Sequence, residues 1–262
     1  MKLATWNVNS LKARLPRVLE LLARHEPDVV CMQETKCEAA AFPVDELAQA
    51  GYRAAHHSAG RWAGVAILAR SALELADPVA GLPGELRDDE ARWIEATVGG
   101  LRVASVYVPN GRAVGSPTFA EKLAFLDAAA LRVASLRADA GPLVVAGDFN
   151  VAPSDLDVYD PAAFAGSTHV TAEERSRVGA ILAAGGLVDA YRHLHPGELQ
   201  HTWWDYRQGS FHRGMGLRID LVLASDALAG SLVACGIARD YRKGSKPSDH
   251  APLLVELGRG AL

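Results

Sequence analysis

The segment LVVAGDFN, residues 143–150, indicates the fold class of the chain more directly than any other stretch. Four consecutive apolar residues followed by Gly-Asp predict a buried strand that ends in polar side chains. Because side chains two positions apart on an extended segment share a face, we expect Asp148 and Asn150 to point into the same space. The alternative is an Asx turn that only ends the strand.

Short β-like runs alternate with longer helical ones on either side of this segment. One helix is predicted with Pro16 in its first turn and its end near residue 25. Capping boxes at 118–121 and 171–174 each open another, the second closing at Gly185-Gly186. The mixture predicts an α/β layered sandwich, mixed sheets with helices packed outside, as one domain over residues 1–262. Strands are predicted at 2–8, 29–33, 64–69, 101–108, 143–146, 219–224 and 253–257.

Composition excludes several classes of protein. With 262 residues, 49% of them hydrophobic and 22% charged, the chain is typical of globular proteins and unlike disordered, collagenous or coiled-coil ones. No apolar run approaches the roughly 18 residues of a membrane helix, and the N-terminus shows no secretory signal. Three cysteines without a CxxC pair argue against a disulfide framework and a structural zinc. We therefore expect a cytoplasmic protein with no membrane association.

The charge distribution leaves room for a nucleic-acid partner. The net charge is −4, which by itself argues against one. Residues 201–250, however, contain seven Lys or Arg and five Asp. If two of these Asp belong to an active site, the remaining surface of that segment is basic.

Polar side chains with chemical use follow several of the predicted strands. Any one of them is more readily explained as a helix cap or a turn former, but their number favours a site built at strand ends. They are Asn7, Glu34, Tyr107, Asp148, Asn150, Asp220, Asp249 and His250.

Two of these positions suggest specific chemistry. Glu34 follows an apolar run, and a hard carboxylate ligand of this kind suits Mg²⁺; the alternative is a solvated strand end paired with Lys36. An Asp that accepts from one imidazole nitrogen fixes the tautomer, and strand pairing could bring Asp220 to His250 in this way. The sequence has no G-x-S-x-G nucleophile elbow and no P-loop.

Seven motifs in order give the sequence a specific resemblance. It resembles the exonuclease III family of DNA-repair nucleases, within the endonuclease/exonuclease/phosphatase superfamily, from about residue 1 to 257. The resemblance implies a two-sheet sandwich flanked by helices. The motifs are Asn7-x-Asn9, Gln33-Glu-Thr-Lys36, Tyr107-Val-Pro-Asn110-Gly, Gly147-Asp-Phe-Asn150, Trp203-Trp-Asp-Tyr-Arg, Gly216-Leu-Arg-Ile-Asp220 and Lys246-Pro-Ser-Asp-His250.

The resemblance also implies roles for individual residues. Glu34 with Asn9, and with Asp249 beside them, is similar to the metal site of the family, which holds Mg²⁺ with Mn²⁺ as a substitute. His250 with Asp220 resembles a pair that holds a non-bridging phosphate oxygen. The remaining residues resemble groups that position and deprotonate the attacking water (Asn7, Asp148 and Asn150) and groups near the scissile phosphate (Tyr107 and Asn110).

Implied substrates are double-stranded DNA with abasic sites or with recessed or blocked 3′ ends, bound by a monomer. Trp203, Leu217 and Ile219 match a small apolar pocket for a flipped-out baseless sugar. Arg92 and Arg112 are candidates for phosphate contacts, with ordinary solvation as the alternative. His169 stands where abasic endonucleases of the family carry a small residue, which predicts crowding of the duplex and weaker internal incision. The alternative is a solvent-facing histidine that precedes a helix.

Other functions remain open at this point. A phosphatase of the same superfamily, acting on a phosphoester outside DNA, would share the metal and Ser-Asp-His chemistry. A nucleic-acid-binding module without catalysis would explain the basic C-terminal third, but not the catalytic set of polar strand ends. The motifs do not rank 3′-5′ exonuclease, 3′-phosphatase and abasic-site endonuclease activity.

Overall fold

A computed structural model of the chain describes residues 1–139, 141–258 and 260. Fourteen strands and six α-helices lie in this part of the chain. The helices are α1 (Leu11–His25), α2 (Val44–Gln49), α3 (Pro117–Ala138), α4 (Ala172–Gly185), α5 (Ala190–Leu194) and α6 (Asp226–Ala229). The strands are β1 (Lys2–Asn7), β2 (Val29–Gln33), β3 (Tyr52–His57), β4 (Val65–Arg70), β5 (Leu75–Ala80), β6 (Trp93–Val98), β7 (Leu101–Tyr107), β8 (Leu143–Asp148), β9 (Leu187–Asp189), β10 (Trp203–Trp204), β11 (Gly216–Leu217), β12 (Asp220–Ser225), β13 (Leu232–Ile237) and β14 (Leu253–Leu257).

The strands form two six-stranded sheets and one two-stranded ribbon. The first sheet has the order β13-β14-β1-β2-β4-β3, the second β5-β6-β7-β8-β12-β9, and β10 pairs with β11. Each large sheet contains one parallel pair, β1 with β2 in the first and β7 with β8 in the second, among antiparallel neighbours. Both sheets are therefore mixed, as the predicted fold requires.

Three apolar clusters hold the layers together. The first joins the inner faces of the two sheets, with Ile67 on one side and Val144 on the other. A second packs α3 and α4 against the second sheet, and a third packs α1 and α2 against the first. The sequence of layers is helix, sheet, sheet, helix, which confirms the two-sheet sandwich flanked by helices. No helix in the described residues is long and apolar enough to cross a membrane.

Two predicted helix starts are wrong. Helix α1 begins at Leu11, and Pro16 lies inside it on its exposed side rather than in its first turn. Helix α3 begins at Pro117, because Ser116 is the N-cap and its Oγ accepts from the Phe119 N–H at 3.2 Å. Proline at the first helical position favours this start over the predicted box at Thr118. The box at Thr171 is confirmed, with Glu174 bonded back to the Thr171 N–H.

The strand directions bring the polar strand ends to one edge of the sandwich. Parallel pairing places the end of β1 beside that of β2 and the end of β7 beside that of β8. Strand β12 runs antiparallel to β8, so that Asp220 at its start lies opposite Asp148. The Asp249-His250 pair precedes β14, which runs antiparallel to β1. Six strand termini thus converge on one place.

Candidate active site

A cavity of about 140 Å³ opens at this edge. All ten of its lining residues are among those singled out from the sequence. Asn7, Asp220 and Leu217 lie behind the lining, whereas Arg92 and Arg112 line a neighbouring, larger cleft. The lining residues are Glu34, Tyr107, Asn110, Asp148, Asn150, His169, Trp203, Ile219, Asp249 and His250.

His250 stands between two buried carboxylates. Its Nδ1 donates to Asp220 Oδ2 at 2.8 Å, and its Nε2 lies 3.7 Å from Asp148 Oδ2. Asp220 is fully buried, and Asp148 is 1% exposed. The bond to Asp220 fixes the imidazole tautomer, so that Nε2 faces the cavity. The sequence suggested that strand pairing could allow this contact. The contact is present, but it forms between the sheets, because Asp220 begins β12 of the second sheet and His250 precedes β14 of the first.

The pKa values of Asp148 and His250 are both raised, with different consequences for their charge. Burial raises the pKa of Asp148 to about 7; His250 opposes this shift and Asp220 adds to it. Burial lowers the pKa of His250, but the Asp220 and Asp148 carboxylates outweigh it and bring the value to about 10. Near neutral pH the imidazole is therefore charged, while Asp148 exchanges a proton with little cost.

Amide side chains orient Asp148. Asn7 Nδ2 donates to Asp148 Oδ2 at 2.9 Å and to Glu34 Oε1 at 2.7 Å, which ties the two sheets together across the site. The Asn150 N–H donates to Asp148 Oδ1 at 2.9 Å, and Asn150 has a left-handed backbone with φ of 51°. Both sequence interpretations therefore hold, because the Asx turn uses one carboxylate oxygen and leaves the other facing the cavity.

Glu34 lies beside a lysine. Lys36 Nζ is 2.6 Å from Glu34 Oε2 and donates to Asn9 Oδ1 at 2.7 Å, as the alternative interpretation of Glu34 anticipated. Asn9 Nδ2 donates to Asp249 Oδ1 at 3.0 Å, and Trp203 Nε1 donates to Asp249 Oδ2 at 3.1 Å. Both oxygens of Asp249 are thus engaged by neighbouring side chains.

One group of side chains in the described residues is arranged to hold a metal ion. Glu34, Asp148 and His250 each offer a ligand atom, and these atoms lie within 4.8 Å of one another. Because His250 is held protonated, the carboxylates of Glu34 and Asp148 are the available ligands. One or two carboxylates with water are the donor set of a hard divalent cation, so these residues fit such an ion. Asn9 and Asp249 lie next to this group rather than in it.

An apolar patch adjoins the polar groups. Ile219 and the half-buried Trp203 line the cavity, and both belong to a small cluster that also contains Ala152 and Val158. Leu217 is fully buried in the same cluster and is not among the lining residues. It therefore supports the patch from behind, whereas the sequence had placed it at the surface of a sugar pocket.

Tyr107 and Asn110 connect the cavity to a cleft of about 550 Å³. Asn110 Nδ2 donates to Asn150 Oδ1 at 3.2 Å. Burial and the neighbouring Glu34 raise the pKa of Tyr107 well above its usual value, so its hydroxyl remains a donor. Arg92 covers the Tyr107 ring at 4.6 Å and pairs with Glu90, and Arg112 lines the same cleft.

His169 borders the cavity in a strained backbone conformation. Its φ is 80°, a value that favours glycine. Nδ1 lies 2.5 Å from the carbonyl oxygen of Asn150 and so carries the proton that it donates. Burial and the nearby Lys122 lower the pKa of His169 to about 4, which makes this side chain neutral.

Sequence reasoning missed two groups that support the site. Ser248 Oγ donates to the Asn7 carbonyl at 2.7 Å and accepts from the His250 N–H at 3.2 Å, although Ser248 stands inside a quoted motif. Lys122 and Glu174 form a buried ion pair between α3 and α4. The capping box at Thr171 contained Glu174, but its burial was not visible from spacing.

Comparison with known proteins gives matches along nearly the whole chain. The profile of the Endonuclease/Exonuclease/phosphatase family matches residues 4–250. Exodeoxyribonuclease III of Haemophilus influenzae is 32% identical, covering 98% of this chain and 99% of its own. Among solved structures, a 3′-5′ exonuclease (NExo) from Neisseria meningitidis has a TM-score of 0.95 and 40% identity, covering 98% of this chain and 100% of its own.

Two further structures are similar along nearly the whole chain. The 3′ phosphatase NExo from Neisseria, bound to a product DNA hairpin, has a TM-score of 0.95 and 40% identity, with coverage of 98% and 99%. An AP endonuclease from Archaeoglobus fulgidus has a TM-score of 0.93 and 35% identity, with the same coverage. The chain therefore belongs to the endonuclease/exonuclease/phosphatase family, in the group that contains exodeoxyribonuclease III and the AP endonucleases.

Proposed function

We propose that this protein is a metal-dependent phosphodiesterase that hydrolyses duplex DNA at 3′ ends and at abasic sites. One observation carries the proposal: ligand atoms of Glu34, Asp148 and His250 lie within 4.8 Å of one another in a single cavity. Phosphodiester hydrolysis needs a base for water and positive charge for the phosphate oxygens. Relatives named exodeoxyribonuclease III and AP endonuclease support the same chemistry.

Asp148 is the proposed general base. Its pKa of about 7 suits acceptance of a proton from water near neutral pH. Asn7 and Asn150 hold the carboxylate in place, and the contact between Asn7 and Glu34 fixes its position relative to the other sheet. The attacking water would lie on the cavity side of Asp148 Oδ2.

His250 is the proposed electrostatic partner of the phosphate. Asp220 holds Nδ1 and keeps the imidazole charged, which leaves the Nε2–H to donate to a non-bridging oxygen. Tyr107 and Asn110 also line the cavity and would donate to the same phosphate. These donors stabilise the charge that grows on oxygen as water attacks.

Mg²⁺ is the proposed ion, with Mn²⁺ as a substitute. Glu34 would hold it, with Asn9 and Asp249 bordering the site, and Asp148 stays free to act as the base. When bound, the ion polarises the phosphate and neutralises charge in the transition state. Lys36 must release Glu34 Oε2 for this, and Asn9 Oδ1 remains as its acceptor.

The cavity favours a small group beside the scissile phosphate. At about 140 Å³, it suits a baseless sugar or a chain end against Trp203 and Ile219. Arg92 and Arg112 would contact flanking phosphates. His169 borders the cavity and would crowd a continuing strand, which supports preference for 3′ ends over internal incision.

The test compares a duplex with a recessed, blocked 3′ end and a duplex with an internal abasic site. With Mg²⁺, we expect cleavage of both, abolished by EDTA and by Glu34→Ala. Binding without cleavage would support a non-catalytic module, and hydrolysis of only small phosphoesters would support a phosphatase outside DNA. We further propose a single catalytic domain over residues 1–262 that acts as a cytoplasmic monomer; light scattering and cell fractionation test the last two points.

A further inference from the structure

A buried ion pair lies behind the active site and has no role in the proposed chemistry. Lys122 of α3 and Glu174 of α4 are both fully buried and form a salt bridge. Neither lines the cavity. A lysine without solvent is costly to maintain unless every N–H finds an acceptor.

The Lys122 ammonium contacts three separate segments of the chain. Nζ lies 2.6 Å from the Asn150 carbonyl oxygen, 3.2 Å from Thr168 Oγ1 and 3.3 Å from the Asn110 carbonyl oxygen, in addition to Glu174, so its three N–H groups are shared among four acceptors. These acceptors belong to the loop after β7, the loop after β8 and the segment before α4. A single group therefore ties together three segments that are far apart in sequence.

Glu174 completes the same network from the other side. Its Oε1 accepts from the His169 N–H at 2.9 Å and from Thr168 Oγ1 at 2.8 Å. Asn110, Asn150 and His169 are the cavity-lining residues of the three segments. The ion pair thus hydrogen-bonds to the backbone of all three lining residues. Lys122 contacts the carbonyls of Asn110 and Asn150, and Glu174 contacts the His169 N–H.

The backbone of these segments needs such support. Asn150 and His169 adopt left-handed conformations, with φ of 51° and 80°, which cost free energy in residues other than glycine. Gly111 has a φ of 83°, and a Cβ there would lie 2.9 Å from Lys122 Cδ. Gly111 therefore allows the lysine stem to pass close beneath the loop.

We propose that Lys122, paired with Glu174, is a positioning residue that holds Asn110, Asn150 and His169 in register for phosphodiester hydrolysis. The inference rests on the proposed function. Such a role differs from that of an ion pair that contributes only to folding, because its loss lowers the rate of a variant that is still folded. Because a displacement of about 1 Å can cost on the order of 10²-fold in rate, loss of this register should appear in kcat.

The molecule offers a matched control in the second sheet. Glu95 is fully buried and pairs with Arg102 and Arg132, and it also accepts from Trp93 Nε1 at 3.0 Å. None of these four residues lines the cavity. Glu95→Gln therefore perturbs a buried ion cluster without touching the three segments.

The experiment combines hydrogen exchange with steady-state kinetics of cleavage at a recessed 3′ end in Mg²⁺. For Lys122→Met we expect loss of protection at 109–116, 150–154 and 166–171 together, and a fall in kcat of about 100-fold with a smaller change in KM. Glu95→Gln should leave protection of these segments and kcat within about threefold of wild type.

A double variant separates register from stability. Lys122→Met with Glu174→Gln leaves no unpaired charge, so its Tm should recover relative to Lys122→Met while kcat stays low. Recovery of kcat together with Tm, or unchanged protection of the three segments, would overturn the proposal. If wild type hydrolyses no DNA, the proposed function fails, and the exchange pattern alone then decides the positioning role.

Discussion

Two charge clusters beside the second sheet each contain two carboxylates and one cation, but they differ in how closely these groups are paired. The first consists of Asp148, Asp220 and His250, and the second of Asp157, Asp189 and Arg218. Arg218 reaches both of its carboxylates at 2.7 Å. His250 bonds one carboxylate at 2.8 Å and stands 3.7 Å from the other.

The pKa values of Asp157 and Asp148 are shifted in opposite directions, in line with this difference in pairing. Burial raises the pKa of Asp157, but Arg218 outweighs it and the net pKa is lowered. Arg192 adds a second guanidinium at 2.6 Å. In the first cluster, burial prevails and the pKa of Asp148 rises to about 7. The close pairing of Asp157 with two guanidinium groups thus keeps its charge, whereas the looser pairing of Asp148 gives a carboxylate that titrates where catalysis needs it.

The largest effect is expected for Asp148→Asn. Removing the base should lower kcat on the order of 10³-fold in the DNA cleavage assay. Because the change also removes a carboxylate crowded beside Asp220, the Tm should stay level or rise. A loss of activity that came only with a large fall in Tm would contradict the contrast between the clusters.

Arg218→Met tests the second cluster in the opposite direction. It leaves Asp157 and Asp189 without their shared cation, and we expect destabilisation of about 3–5 kcal/mol in urea unfolding. At a temperature where the variant is folded, kcat per folded molecule should stay near wild type. A folded variant with a kcat as low as that of Asp148→Asn would show that the second cluster also takes part in catalysis, against this comparison.

The pH dependence sharpens the comparison. Asp148 must be deprotonated and its pKa is raised, so the rate should increase as pH rises through about 7. His250 must be protonated, so the rate should fall as pH passes about 10. Asp220→Asn removes the main cause of the raised imidazole pKa and should move the alkaline limb toward neutrality. An unmoved alkaline limb would assign it to another group.

The sequence predicted more of the residues that line the candidate site than of the residues that hold them in place. Asp148 follows an apolar run with Gly-Asp-Phe-Asn after it, so local pattern and shared motif point to the same residue. The contact of Asp220 with His250 required the packing of the two sheets against each other, which no local pattern specifies. Lys122 lies in a helix, where spacing alone gives a lysine no reason to be buried. Long-range contacts decide such positions.

The fold follows the same rule. The predicted strands with continuous apolar residues, such as β2 and β8, are buried along their whole length. Strands β5, β6 and β13 are among those that were not predicted. Strands β5 and β13 lie at sheet edges and several of their residues are exposed, whereas β6 is buried but its apolar run is interrupted by Glu95 and Thr97. The start of α1 depends on Ser10 and Leu11 donating to the loop after β2, a contact absent from sequence patterns.

The smallest effect is expected for His169→Gly. Glycine adopts the φ of 80° without strain, and the change removes the side chain that borders the cavity. Incision at an internal abasic site should increase severalfold relative to cleavage at a recessed 3′ end, with little change in Tm. An unaltered ratio of the two activities would show that His169 does not set the substrate preference.

The most direct measurement is a Mg²⁺ titration of single-turnover cleavage on a 3′-recessed duplex, with wild type and Glu34→Gln compared at equal DNA occupancy. We predict saturable, EDTA-sensitive cleavage by wild type, and a large loss of both rate and Mg²⁺ response in the variant. Cleavage by wild type that is independent of Mg²⁺, or a variant with an unchanged titration, would contradict the central role of Glu34, Asp148 and His250.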